Sequence, residues 1–115
     1  MTQSATGARA EQLAEDFLLR QGLALVQRNF RCRMGEIDLI MRDRDTLVFA
    51  EVRLRSHRGF GGAAASVTHA KQARVVAAAK HFLTGKRERP CRFDVVVLDR
   101  LAADAIEWIK DAFGE

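Results

Sequence analysis

Two carboxylates interrupt the two stretches of this sequence that read best as strands, Asp38 in "EIDLIMR" and Glu51 in "LVFAEVRL". A buried sheet would ordinarily be apolar there, so their side chains invite a chemical explanation. Strand periodicity puts Ile37, Leu39 and Met41 on one face and Glu36, Asp38 and Ile40 on the other. In the next strand Val48, Ala50 and Val52 share a face, and Phe49, Glu51 and Arg53 share the opposite one. Matching apolar to apolar brings Asp38 and Glu51 out on the same side. A two-residue turn at Arg44–Asp45, or a four-residue loop around it, sets Asp38 opposite Glu51 and Glu36 opposite Arg53. A slip of two residues would make the pair diagonal and leave the face unchanged.

Like charges opposed on a sheet destabilise it by up to about 1 kcal/mol. A divalent cation is one way to offset that, since Mg²⁺ takes one or two carboxylates together with waters and phosphate oxygens. The plainer alternative is an ordinary surface network in which Arg53 and a neighbouring Arg neutralise the pair. Spacing alone leaves both accounts open.

The elements that must carry these residues follow from periodicity and breakers. Leu13, Ala14, Phe17 and Leu18 recur at helical spacing between about Ala5 and Gln21, and Gly22 is a natural stop. "LALVQRNF" reads as a strand, followed by the hairpin of Glu36–Arg42 and Leu47–Leu54. After the Gly-rich "HRGFGGAAAS", Thr68 or Ser66 can cap a helix from about His69 to Leu83 with Val75, Val76, Ala79, Phe82 and Leu83 as its buried stripe. "CRFDVVVLD" is the most apolar strand and is expected at the centre of the sheet. A short strand at "AIEWI" and a last helical turn at "KDAF" close the chain. The order is αβββαβ with an appendix, an α/β arrangement whose first three strands form a meander.

With 115 residues the chain is expected to form one domain, spanning 1–115. No apolar signal core opens the sequence and no apolar run is long enough to span a bilayer, so a cytoplasmic protein with no membrane partner is expected. Cys32 and Cys91 are far apart and fit reduced, structural thiols. The net charge is +4 and the pI about 9.7. Arg dominates the basic residues, and its planar fork suits phosphate oxygens, which favours a nucleic-acid partner. "RGFGGAAAS" lacks the GK[ST] ending of a P-loop and the GxGxxG spacing, so nucleotide binding there is a poor fit. His57 and His69 could carry protons by chemistry but occupy no motif position. Trp108 reads as core.

"GEIDLI", a short turn and "LVFAEVRLR" together resemble the core of the PD-(D/E)xK nuclease superfamily. More narrowly, the chain resembles the small YraN-like bacterial family, distantly similar to archaeal Holliday-junction resolvases. The likeness also takes in "AEQLAEDFLLRQG", "RNFRCRMGEIDLI", "GGAAASVTHAKQ", "CRFDVVVLD" and "IEWIKDAF". It implies a restriction-endonuclease-like three-layer αβα core, with a mixed sheet of about four to five strands flanked by helices. The activity it implies is Mg²⁺-dependent endonucleolytic hydrolysis of DNA, branched or otherwise structured, with Mn²⁺ as a substitute and a homodimer as the working form.

Residue by residue, the resemblance makes Asp38 and Glu51 metal ligands. It makes Glu11, which borders the apolar stripe of the first helix, a third ligand, whereas Glu15 and Asp16 are expected to be exposed. Glu36 would add an outer contact, and the Val52 carbonyl a further ligand. Arg53 is the departure: the superfamily usually has Lys there, and Arg effectively cannot act as a base. Lys71, near the start of the second helix, is a candidate replacement; a solvated first-turn Lys is the alternative. Arg31, Arg33, Arg55, Arg58, Lys71 and Arg74 are the expected nucleic-acid contacts. A nucleic-acid-binding module that hydrolyses nothing is the competing function, and a protein-interaction domain a third.

Overall fold

The computed structural model describes residues 4–55 and 67–114. The first helix, α1 (Ala5–Arg20), starts at Ser4, whose hydroxyl accepts the Gly7 N–H at 3.0 Å. Gly22, at φ +97°, ends it. There the Gly22 N–H reaches the Leu19 carbonyl (3.0 Å) and the Leu23 N–H reaches the Leu18 carbonyl (3.1 Å), which satisfies the last turn. Leu18 and Leu23 then enter the same core.

Strands β1 (Ala24–Cys32), β2 (Gly35–Asp43) and β3 (Thr46–Leu54) form the antiparallel meander that the sequence suggests. Helix α2 (His69–Leu83) follows, begun by Thr68, whose side chain accepts the Lys71 N–H at 3.2 Å. Strand β4 (Cys91–Leu98) then runs parallel to β3, and β5 (Ile106–Phe113) runs antiparallel to β4. The mixed sheet has the order β1-β2-β3-β4-β5, so β3 rather than β4 is the middle strand. β4 is apolar because it is interior and covered on both faces. The stretch "KDAF" continues β5 instead of forming a helical turn. Asp111 there takes φ +52° opposite a register shift in β4, and its N–H donates to the buried Asp94 carboxylate at 2.9 Å.

Two cores sandwich the sheet. Leu13, Ala14 and Leu18 of α1 meet Leu39, Met41, Val48, Ala50, Val96 and Leu98 on one face. Val75, Ala79 and Phe82 of α2 meet Ile40, Leu47 and Phe49 on the other. This is an α/β fold of three layers. No helix among the described residues is long and apolar enough to cross a membrane.

Two expectations from periodicity fail for instructive reasons. Ile37 leaves the face of Leu39 and Met41 and packs with Ile40 and Phe49. β1 and β2 pair at Arg28↔Leu39 and Phe30↔Ile37, and between these pairs Asn29 turns to φ +49°. The ribbon twists there, so simple alternation breaks at Asp38. Glu15, in turn, is only 4% exposed instead of solvated. Arg28 of β1 grips it with two bonds, Nε to Oε1 at 2.5 Å and Nη2 to Oε2 at 2.8 Å, which ties α1 to β1.

The position of α2 depends on Gly35. A Cβ built on this residue would lie 2.7 Å from the Arg74 carbonyl oxygen, and backbone cannot swing aside. Gly35→Ala is therefore expected to lever the helix from β2 at a cost of about 1–2 kcal/mol. Thermal melting should show a Tm lower by about 5–10 °C; an unchanged Tm would mean that the close approach is not a real constraint.

Candidate active site

The carboxylates meet on the α2 side of the sheet, where β2 and β3 part. The hairpin register runs from Asp43↔Thr46 to Leu39↔Ala50, around a two-residue turn with Arg44 at φ +58°. This is the register that sets Asp38 opposite Glu51. Regular pairing stops one step short of them. Instead, the Asp38 Oδ2 accepts the Val52 N–H at 2.9 Å, so a side chain replaces a backbone acceptor. One Asp38 oxygen is thereby fixed to β3.

Glu51 lies on the same strand face as Leu47 and Phe49, pointing under α2, and is 1% exposed. Neither of its carboxylate oxygens has a hydrogen-bond partner. Its pKa is pushed up to about 10, first by burial, then by the Asp38 charge beside it; Lys71 and Arg53 pull the other way without prevailing. Glu51 thus keeps its proton at neutral pH, in position to donate it to the Asp38 carboxylate, and ionises only if positive charge is added. Lys71, from the first turn of α2, brings its Nζ to 3.8 Å from Glu51 Oε1 and 4.0 Å from Glu36 Oε1. Those distances give Coulomb attraction but no hydrogen bond.

The pair fits a hard divalent cation. The donors are all carboxylate oxygens, two of them buried and unbonded, and an adjoining cation would supply the charge Glu51 needs to ionise. Among the described residues no three His, Cys, Asp or Glu side chains gather as one group, so the fit rests on two protein carboxylates. Glu11 is partly buried on α1, whose core covers the opposite face of the sheet.

The remaining site candidates separate by position. Arg53 is exposed and acts on Glu51 through its charge. Arg31 pairs with Glu36 (3.3 Å), and Arg74 stands exposed one helical turn from Lys71. Arg33 is exposed in the turn between β1 and β2. Arg55 is mostly covered and donates from Nε and Nη2 to Asp99 Oδ1, at 2.9 and 2.8 Å. Arg58, with His57 and the Gly-rich stretch, lies outside the described residues.

Asp94 is a further buried carboxylate that the sequence reading passed over. It is saturated, accepting from Arg92 Nε, Trp108 Nε1 and the Asp111 N–H. The contrast with Glu51 is informative: one buried acid is fully bonded and structural, the other is left with open oxygens.

Comparison with known proteins agrees with the resemblance at the family level. Residues 10–98 match the model described as "Uncharacterised protein family UPF0102". A UPF0102 protein of Cupriavidus taiwanensis is 60% identical over 114 residues, covering 97% of this chain and 85% of its own. One from Nitrosospira multiformis is 55% identical over 114 residues, covering 98% and 96%. Another, from Methylobacillus flagellatus, is 54% identical over 107 residues, covering 93% and 95%. The family model covers most of the chain and these relatives nearly all of it: the protein is a member of the UPF0102 family.

Proposed function

We propose that the chain is a divalent-cation-dependent endonuclease of the PD-(D/E)xK type, hydrolysing phosphodiester bonds in branched or otherwise structured DNA. The observation that carries this reading is Glu51, buried beside Asp38 with no N–H donor on either oxygen. An ion pair serving only stability would close on those oxygens, as Arg28 closes on Glu15; Lys71 stops at 3.8 Å.

Asp38 and Glu51 would hold Mg²⁺ or Mn²⁺, with waters, phosphate oxygens and the Val52 carbonyl as further donors. When bound, the ion polarises a phosphate oxygen and lowers the pKa of a coordinated water. The chain's own contribution is orientation and charge. The Val52 N–H fixes Asp38, and Lys71 and Arg53 hold positive charge where negative charge builds at phosphorus. In this reading Lys71 takes the part usually played by the strand-borne Lys, whose place in β3 Arg53 occupies. Glu36 steadies Lys71 from the far side. The metal role that the resemblance implies for Glu11 is no part of this reading, which rests on Asp38 and Glu51 alone.

Arg53 favours a second reading, a nucleic-acid-binding module that has kept the fold and lost hydrolysis. Incubating linear, nicked and four-way DNA with Mg²⁺ or Mn²⁺ separates the two. Cleavage by the parent that disappears in Asp38→Ala supports the enzyme; salt-sensitive binding without cleavage supports the module. The enzyme reading also carries a homodimer matched to two-fold branched DNA and a cytoplasmic setting. Sedimentation with and without a four-way junction tests the dimer.

A further inference from the structure

Beside the carboxylate pair, between the β1–β2 turn and α2, lies a cleft of about 300 Å³ lined by Arg31, Cys32, Gly35, Glu36, Lys71 and Arg74. Three cations face one carboxylate there. Glu36 is shared by Arg31 Nε at 3.3 Å and Lys71 Nζ at 4.0 Å, and both Arg31 and Glu36 are about two-fifths exposed. Such half-solvated pairs are worth little, so the carboxylate is easily displaced. Arg74 has no carboxylate partner among the described residues. Its backbone, pressed against Gly35, makes the cleft wall preformed.

Lys71 links this cleft to the buried pair, because the same Nζ lies within 4.0 Å of Glu36 and of Glu51. An anion seated among Arg31, Lys71 and Arg74 would therefore be the immediate neighbour of a phosphate at Asp38 and Glu51. We propose that this cleft is the seat of the phosphodiester adjoining the one held at the carboxylate pair, and that Glu36 is an internal counter-anion which that phosphate displaces. The proposal rests on the reading above for its choice of nucleic acid. Its own physical content is the charge: guanidinium forks form shorter, paired bonds with phosphate than with the loosely held Glu36.

The test omits divalent cations, so its failure is separable from failure of the metal site. A 20-base-pair fluorescent duplex is titrated in EDTA over a range of salt against the parent, Arg31→Gln/Arg74→Gln, Glu36→Gln and Arg100→Gln. The double variant is expected to bind at least about tenfold more weakly, with a salt slope smaller by about two. Glu36→Gln should bind several-fold more tightly. Arg100, which pairs with Asp104 between β4 and β5, should matter little. Cys32 adds a local readout. In a Cys91→Ser background it is the chain's only thiol, and duplex should slow its alkylation by iodoacetamide.

Several outcomes would overturn the proposal. These are no duplex binding by the parent at low salt, an unchanged slope in the double variant, or an equal effect of Arg100→Gln. Cys32 left unprotected by bound duplex would do the same. Protection by polyglutamate in place of DNA would assign the cleft to an acidic protein segment. Protection by inorganic phosphate as strong as that by duplex, at equal phosphate concentration, would assign it to a free anion.

Discussion

Calorimetric titration with Mn²⁺ is expected to find one ion per chain in the parent and binding weakened at least tenfold by Asp38→Asn or by Glu51→Gln alone. Each substitution takes away one of the two carboxylates that the site offers among the described residues, and hard cations are held chiefly by such groups. Both variants should stay folded, for different reasons. Asn at 38 keeps an oxygen that can accept the Val52 N–H, so the strand junction survives while the charge is lost. Gln at 51 has the shape of the protonated acid that the metal-free site prefers. Cleavage should fall about a thousandfold or more in each variant, well beyond the change in duplex affinity. Absence of Mn²⁺ binding by the parent, even with duplex present, would remove the catalytic reading and leave the carboxylates as an ion-paired patch.

The parts of this site that could be read from sequence were those set by local rules. A turn at Arg44–Asp45 determines the hairpin register, and the register determines that Asp38 meets Glu51. The Thr68 cap and the Gly22 stop likewise locate two helix ends from single residues. What alternation could not show was the twist at Asn29. A left-handed residue in β1 sends Ile37 to the other core and leaves Asp38 at a junction rather than in a regular ladder. Burial was the other hidden quantity. Glu11, Glu15 and Asp16 look alike in the helix, yet Glu15 is buried because Arg28, thirteen residues on, reaches back to it. The C-terminal half of β5 was missed because Asp94 stabilises its bulge from an adjacent strand, a contact without a local signature. Which basic residues face the carboxylates, and which are committed elsewhere as Arg55 is to Asp99, also depends on tertiary pairing.

The open carboxylate has a consequence for stability that needs no substrate to observe. In EDTA, Glu51→Gln is expected to be more stable than the parent at pH 8 by about 3–5 kcal/mol, as measured by urea denaturation. The folded pKa of Glu51 is about 10, raised from 4.5 by burial and by Asp38. Between those values the folded state holds a proton that the unfolded chain has released. Stability of the parent therefore falls as pH rises through this window, by at most about 1.4 kcal/mol per unit. Gln does not titrate, so the gap between the two proteins should close below about pH 4.5 and stop widening near pH 10. Saturating Mn²⁺ should narrow the gap by at least about 1.4 kcal/mol, the equivalent of tenfold tighter binding, since the ion favours the parent and competes directly with that proton. A parent with the same pH profile as Glu51→Gln in EDTA would mean that Glu51 is ionised and neutralised by Lys71 and Arg53. The open carboxylate oxygens on which the metal site depends would then already be satisfied by the protein itself.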